Sequence, residues 1–289
     1  MLRRPLDPEF PATDPRSSRT TVASAKRSGL AGFLALSVAT GVAHAQLPAG
    51  NWQYFWGDDF SGTAVDTTKW LTGEPGWANS SQSLANPDGN LATLGGGELT
   101  LTAIRDDEGG GYDKSFRGGV ITTYPYGSYG IRTPLFTAGS FFEARIKLPG
   151  TPGSWPAFWG LDPNAPTQNE LDVMEYPLDT AAGNGYANHQ YHTAYHYNNY
   201  TASGPGQVTT GANLGDGNYR VFSASWVGQK LTYYLDGVPV QSFDNPAVNQ
   251  MDDLYLILNH AVGGNPDTWI GRPNLAEWPV GHTDEMVVD

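Results

Sequence analysis

Apolar and polar residues alternate singly along much of this chain, in runs too short for helices. Glu98-Leu-Thr-Leu-Thr-Ala-Ile104 and Phe142-Glu-Ala-Arg-Ile-Lys-Leu148 both follow that rule. A period of two over such short runs marks a half-buried strand. Lys230-Leu-Thr-Tyr-Tyr-Leu235, then Asp236-Gly237, then Val238-Pro-Val240 predicts a hairpin, because Asp-Gly takes the positive φ angles of a tight turn. Leu254-Tyr-Leu-Ile-Leu258 reads as a more apolar strand, and Glu285-Met-Val-Val-Asp289 as a strand entered and then cut short, from truncation or an incomplete final edge. Gly95-Gly-Gly97 and Gly109-Gly-Gly111 read as turns, since neither has the strand-to-helix context of a phosphate loop. No long helical period follows residue 45. Many short strands with frequent turns predict an all-β, antiparallel sandwich or barrel.

The N-terminal stretch has a different character. Lys26-Arg27 precede an uncharged run, Gly29 to Val42, that closes on Ala43-His44-Ala45. That order describes a secretory signal; a membrane helix would need about 20 apolar residues. Residues 1–45 are therefore expected to be an extension and signal peptide, with translation beginning at Met1 or at Val22. Residues 46–289 are expected to form one secreted or periplasmic domain, a monomer, of a size ordinary for a β-sandwich. Removing residues 1–45 takes 6 of 16 basic and 3 of 29 acidic residues, leaving 10 against 26, a net charge of −16. Such a surface repels nucleic acid and anionic lipid. With no cysteine, the chain has no disulfide, zinc–thiolate site or thiol nucleophile.

Candidate chemistry concentrates in Glu170-Leu-Asp172-Val-Met-Glu175. Glu170 and Asp172 share a strand face, but Glu175 lies at an odd offset from Glu170 and falls on the other. One extra residue at Val173 or Met174, a β-bulge, restores the parity and turns all three carboxyls to one surface. Two glutamates so placed can approach the 5–5.5 Å of a retaining glycosidase rather than the 6.5–9.5 Å of an inverting one. Three crowded carboxyls cannot all ionise freely, so at least one pKa rises. The same oxygens would suit a calcium ion or a merely solvated strand. Upstream, Trp155-Pro-Ala-Phe-Trp159 puts Trp155 and Trp159 on one face, as sugar-stacking indoles or core, with Phe158 on the other. His192 and His196 share a strand face roughly 13 Å apart, too far for one zinc ion even with His189 added; they line a cleft or serve the fold.

Together these segments resemble glycoside hydrolase family 16, the laminarinase-like retaining endo-β-glycanases. Gly57-Asp-Asp-Phe60 with Thr68-Lys-Trp70 resembles the opening strand of that family, and Phe142-Glu-Ala-Arg145 and Trp155 to Trp159 its central strands. Glu170 to Glu175 matches the bulged catalytic signature, and Leu256-Ile-Leu-Asn259 with Ala261-Val-Gly-Gly264 a late strand. The resemblance implies a concanavalin A-like jelly roll with a substrate cleft on its concave sheet. It makes Glu170 the nucleophile, Glu175 the acid and then base, and Asp172 the residue that tunes Glu170. Trp155, Trp159, His192, His196 and Asn259 are the expected substrate contacts; no metal or cofactor is required, although a structural calcium is compatible.

Four departures bear on substrate identity: Ser80-Ser-Gln82 in place of an N-E-L run, Arg117 displaced ahead of Gly118-Gly119, an insert from Tyr124 to Ala138, and His260 at an aliphatic position. The expected substrate is a β-1,3- or mixed β-1,3/1,4-glucan. The alternatives are a bacterial exopolysaccharide, an agar-type galactan, or binding of glucan without cleavage.

Overall fold

The computed structural model describes residues 2–5, 47–48, 52–73, 83, 85–107, 115–124, 135–163, 169–178, 187–264, 270 and 272–289. The hydrophobic run of the expected signal, Ser80 to Gln82, Gly109 to Gly111 and most of the Tyr124–Ala138 insert lie outside these residues. The strands are β1 (Leu2–Pro5), β2 (Trp52–Trp56), β3 (Leu71–Thr72), β4 (Ala85–Asp88), β5 (Ala92–Gly95) and β6 (Glu98–Arg105). Then come β7 (Phe116–Thr122), β8 (Ser140–Lys147), β9 (Ser154–Leu161), β10 (Glu170–Glu175), β11 (Gln190–Tyr197) and β12 (Ala202–Ser203). The last are β13 (Gly206–Thr209), β14 (Arg220–Val227), β15 (Lys230–Leu235), β16 (Val238–Asp244), β17 (Tyr255–Val262) and β18 (Thr283–Val288).

These strands form a jelly roll, a curled, almost wholly antiparallel sheet folded into two layers. The first layer runs β13–β11–β10–β9–β17–β7–β3. The second runs β16–β15–β14–β8–β18–β6–β5. Strand β7 serves both: Val120 to Thr122 pair with β17, and Phe116 to Gly118 pair with β6. The corner falls at Gly118-Gly119, where a Cβ would run into the carbonyl oxygens of His260 and Leu91. Only glycine lets the backbones approach that closely.

The core lies between the layers. Phe158, Leu171, Val173, Met174, Leu256 and Leu258 reach it from the first layer. Leu99, Leu101, Phe142, Ile146, Phe222 and Trp226 meet them from the second. The predicted hairpin is present as β15–β16, with Asp236 at φ 49° and Gly237 at φ 80°. Gly96 and Gly97 turn between β5 and β6 with φ of 68° and 88°.

Two expectations are corrected or refined. Gly57 to Phe60 is not a strand but the loop after β2. Asp58 closes that loop, taking the Phe60 N–H at 3.1 Å and the Trp70 indole N–H at 2.9 Å, while Phe60, at φ 49°, stacks on Trp70. The final strand starts at Thr283 and pairs with β6 from Thr283↔Ile104 to Val288↔Leu99, an interior position rather than an edge. Leu2–Pro5 pairs with β2.

Candidate active site

Strand β10 has the irregularity that its parity demanded. Against β9, Asp172 faces Trp159 while Met174 faces Phe158, so Val173 is the extra residue. Against β11, Asp172 faces Ala194 and Glu175 faces His192, the same one-residue slip. Leu171, Val173 and Met174 point into the core. Glu170, Asp172 and Glu175 share the other face, where the side chains of β11 and β9 meet them. A bulge is the device by which a strand re-aims one side chain.

Each carboxylate has its own partners. The Trp155 indole N–H donates to Glu175 Oε1 at 3.2 Å, and His192 Nδ1 lies 3.4 Å from Oε2. At the other end, the Tyr200 hydroxyl donates to Glu170 Oε2 at 3.4 Å. His196 Nε2 stands 3.9 Å from Glu170 Oε1 and 3.6 Å from Asp172 Oδ2. Asp172 is 2% exposed, and its Oδ2 has no hydrogen-bond partner among the described residues. His192 and His196 thus serve opposite ends of one acidic row, and His189 is half-buried beside Asn188. Ligating atoms of Glu170, Asp172 and His196 lie within 4.8 Å of one another, a spacing that also admits a small divalent cation.

The two tryptophans differ. Trp155 is bound to the acid row, whereas Trp159 donates to Asn259 Oδ1 at 2.7 Å and packs beside Tyr255, Ile257, Tyr124 and Leu135. Phe158 is in the core. All eight expected site residues lie on β9, β10, β11 and β17, four neighbours in one layer.

Burial, and then the charge of Glu175, push the Glu170 carboxyl up to about 8. Burial, and then Glu170 and Glu175, hold Asp172 well above its usual range. The expected rise therefore falls on Glu170 and Asp172. Such groups titrate as a unit: the charge of Glu175 adds to burial in keeping Glu170 neutral. Burial, with His192 adding to it, lowers His196 to about 4, so its ring is neutral at pH 7.

These shifts imply a pH dependence of stability. The folded value of Glu170 lies above its ordinary 4.5. Stability is therefore greatest below about 4.5 and falls as the pH rises through about 8, where folding must bury the ionised group. Asp172 acts in the same direction. The melting temperature should fall between pH 5 and 8.5, and Asp172→Asn should flatten that fall, gaining roughly 3–8 °C at the alkaline end. Parallel pH–melting profiles for the two proteins would contradict this.

Sequence reasoning missed Tyr200. Asn198, Asn199 and Tyr200 all have left-handed backbones, with φ of 47°, 52° and 64°. Each non-glycine residue there costs on the order of 1 kcal/mol. Asparagine tolerates this region and so signals a turn, but nothing in the sequence says that the tyrosine ring folds back. It lies over His196 with ring centroids 4.3 Å apart.

The profile of glycosyl hydrolases family 16 matches residues 95–273, more than half of the chain. The chain belongs to glycoside hydrolase family 16. Among curated members, it is 29% identical to glucan endo-1,3-beta-glucosidase A1 of Niallia circulans over 78% of this chain and 36% of that protein. It is 27% identical to endo-1,3-1,4-beta-glycanase ExsH of Rhizobium meliloti over 65% of this chain and 37% of that one. The chain thus spans about a third of the length of these first relatives. Among solved structures, the mixed linkage glucan GH16 protein of Bacteroides ovatus, in complex with a G4G4G3G product, superposes with a TM-score of 0.64 at 28% identity. That match covers 80% of this chain and 96% of the other. The endo-beta-1,3-glucanase of Pyrococcus furiosus gives 0.64 at 26% identity, covering 82% and 92%.

Two of the departures from the family pattern have partners outside the acid row. Arg117 forms ion pairs with Asp88 and Asp106. His260 is buried with Nδ1 3.1 Å from the Leu101 carbonyl oxygen.

Proposed function

We propose that this protein is an endo-acting hydrolase of β-1,3- or mixed β-1,3/1,4-glucan that works by double displacement with retention. The observation that carries this reading is the Val173 bulge, which sets Glu170, Asp172 and Glu175 in one row. Glu175 gives its proton to the glycosidic oxygen while Glu170 attacks the anomeric carbon. The C–O bond to the leaving chain breaks as the bond to Glu170 forms. Water then enters, loses its proton to Glu175 and expels Glu170 as a carboxylate. Trp155 and His192 hold Glu175 in place, and Asp172, between the two glutamates, tunes Glu170. Trp155, His192 and His196 border the sugar directly, while Trp159 and Asn259 brace each other beside it.

Substrate choice rests on the relatives, whose names read glucan endo-1,3-beta-glucosidase and endo-1,3-1,4-beta-glycanase. Export of residues 46–289 after removal of the leader, and action as a monomer, belong to the same reading. No helix among the described residues is long and apolar enough to cross a membrane.

Reducing-end release from laminarin, lichenan, agarose and a bacterial exopolysaccharide tests the proposal. Short oligosaccharides from laminarin or lichenan support it. Release only from agarose or the exopolysaccharide assigns another substrate, and binding without release removes the catalytic role.

A further inference from the structure

The hairpin between β11 and β12 is built in a costly way. Three successive non-glycine residues are left-handed, and the bulkiest, Tyr200, is 51% exposed. Core packing therefore does not account for its conformation, and glycine or asparagine would make the same turn with less strain. The ring is instead spent on the acid row: it lies over His196, and its hydroxyl reaches Glu170 Oε2.

The turn is also tied to the strand that carries Glu170. Asn169, the residue before it, is 1% exposed, and its Oδ1 takes the Asn198 N–H at 2.9 Å. Its amide in turn donates to Asp162 at 3.1 Å and Asp252 at 3.3 Å. The other side is held by Tyr197, whose hydroxyl donates to Gln250, and by His196 Nδ1, 2.9 Å from Ser203 Oγ. One buried asparagine thus fixes the distance between the tyrosine and the carboxylate. Strain of this kind persists only where its surroundings over-determine it, and it clusters at active sites.

We propose that Tyr200 is a positioning residue for Glu170. It holds Oε2 by a hydrogen bond, so that Oε1 is the oxygen presented to the anomeric carbon. Burial and the nearby charges of Glu170 and Asp172 raise the Tyr200 hydroxyl above its ordinary range, so it stays a neutral donor. The bond is long as it stands, and it shortens as Glu170 takes full charge. The inference rests on the reading of Glu170 as nucleophile, and it goes beyond it by naming what orients that group.

Tyr200→Phe keeps the ring over His196 and removes only the hydroxyl. Steady-state kinetics on a soluble glucan should show kcat lowered roughly tenfold with KM within about twofold, the size of one lost hydrogen bond to a charged group. Tyr200→Ala should lower kcat as far and raise KM as well, since the ring over His196 goes too. A Tyr200→Phe enzyme with unchanged kcat and KM, or with KM alone raised, overturns the inference. Glu170→Gln run alongside separates the two failures. If Glu170→Gln is inactive and Tyr200→Phe is normal, only the positioning role falls; if Glu170→Gln turns over normally, the nucleophile falls and takes this role with it.

Discussion

Glu170→Ala should cut hydrolysis of glucan by roughly 10⁴-fold or more, the scale of losing a nucleophile from a unit that acts together. The loss should be chemical rather than structural. Glu170 lies on the face away from the core while Leu171, Val173 and Met174 hold the strand from below, so the melting temperature should not fall. Removing a buried carboxyl that burial pushes up to about 8 should even stabilise the fold at alkaline pH. The truncated side chain leaves a gap facing the anomeric carbon. Azide added to the variant should enter that gap and, with an activated aryl β-glycoside, give a glycosyl azide of the opposite anomeric configuration. An Ala variant that keeps wild-type turnover would remove the nucleophile role from Glu170.

Glu175→Gln should cost about 10²–10⁴-fold on glucan, as loss of an acid–base group does. The loss should be selective. A dinitrophenyl leaving group needs no proton, so bond cleavage from such a glycoside should be near normal and release of the covalent sugar slow, visible as a burst of dinitrophenol. The variant also carries a signed pH effect. The charge of Glu175 is the second cause, after burial, of the raised Glu170 carboxyl. A neutral glutamine relieves that repulsion, so the acidic limb of the rate profile on the dinitrophenyl substrate should move to lower pH. An equal loss on both substrates, with no shift of the limb, would place the acid elsewhere.

Much of this site was legible because strands impose a strict parity. The spacing of Glu170, Asp172 and Glu175 has no single-face solution without an extra residue, and the structure puts that residue at Val173. The same alternation separated Phe158 from Trp155 and Trp159, and Asp236-Gly237 located a hairpin through its φ requirement. What escaped depended on contacts between distant segments. Tyr200 matters only because its turn folds back over His196, and that turn is set by Asn169, about thirty residues earlier. Arg117 and His260 stood out against the family pattern as substrate determinants, yet one pairs with Asp88 and Asp106 and the other with a core carbonyl. A sequence does not show which face of a curved layer a departure will occupy when the strand bends at a glycine pair.

The central claim is that Glu170 becomes covalently bonded to sugar while Glu175, turned to the same face by Val173, serves the leaving oxygen. Incubation with a 2-fluoro β-glucan oligosaccharide bearing a dinitrophenyl group slows release of the covalent sugar, so the adduct should accumulate. Mass spectrometry of the intact protein should show the mass of one added 2-fluoro-oligosaccharyl group, and the proteolytic peptide spanning Glu170 to Glu175 should carry it on Glu170. An adduct on Glu175 or outside that strand, or hydrolysis with inverted configuration, would contradict the account.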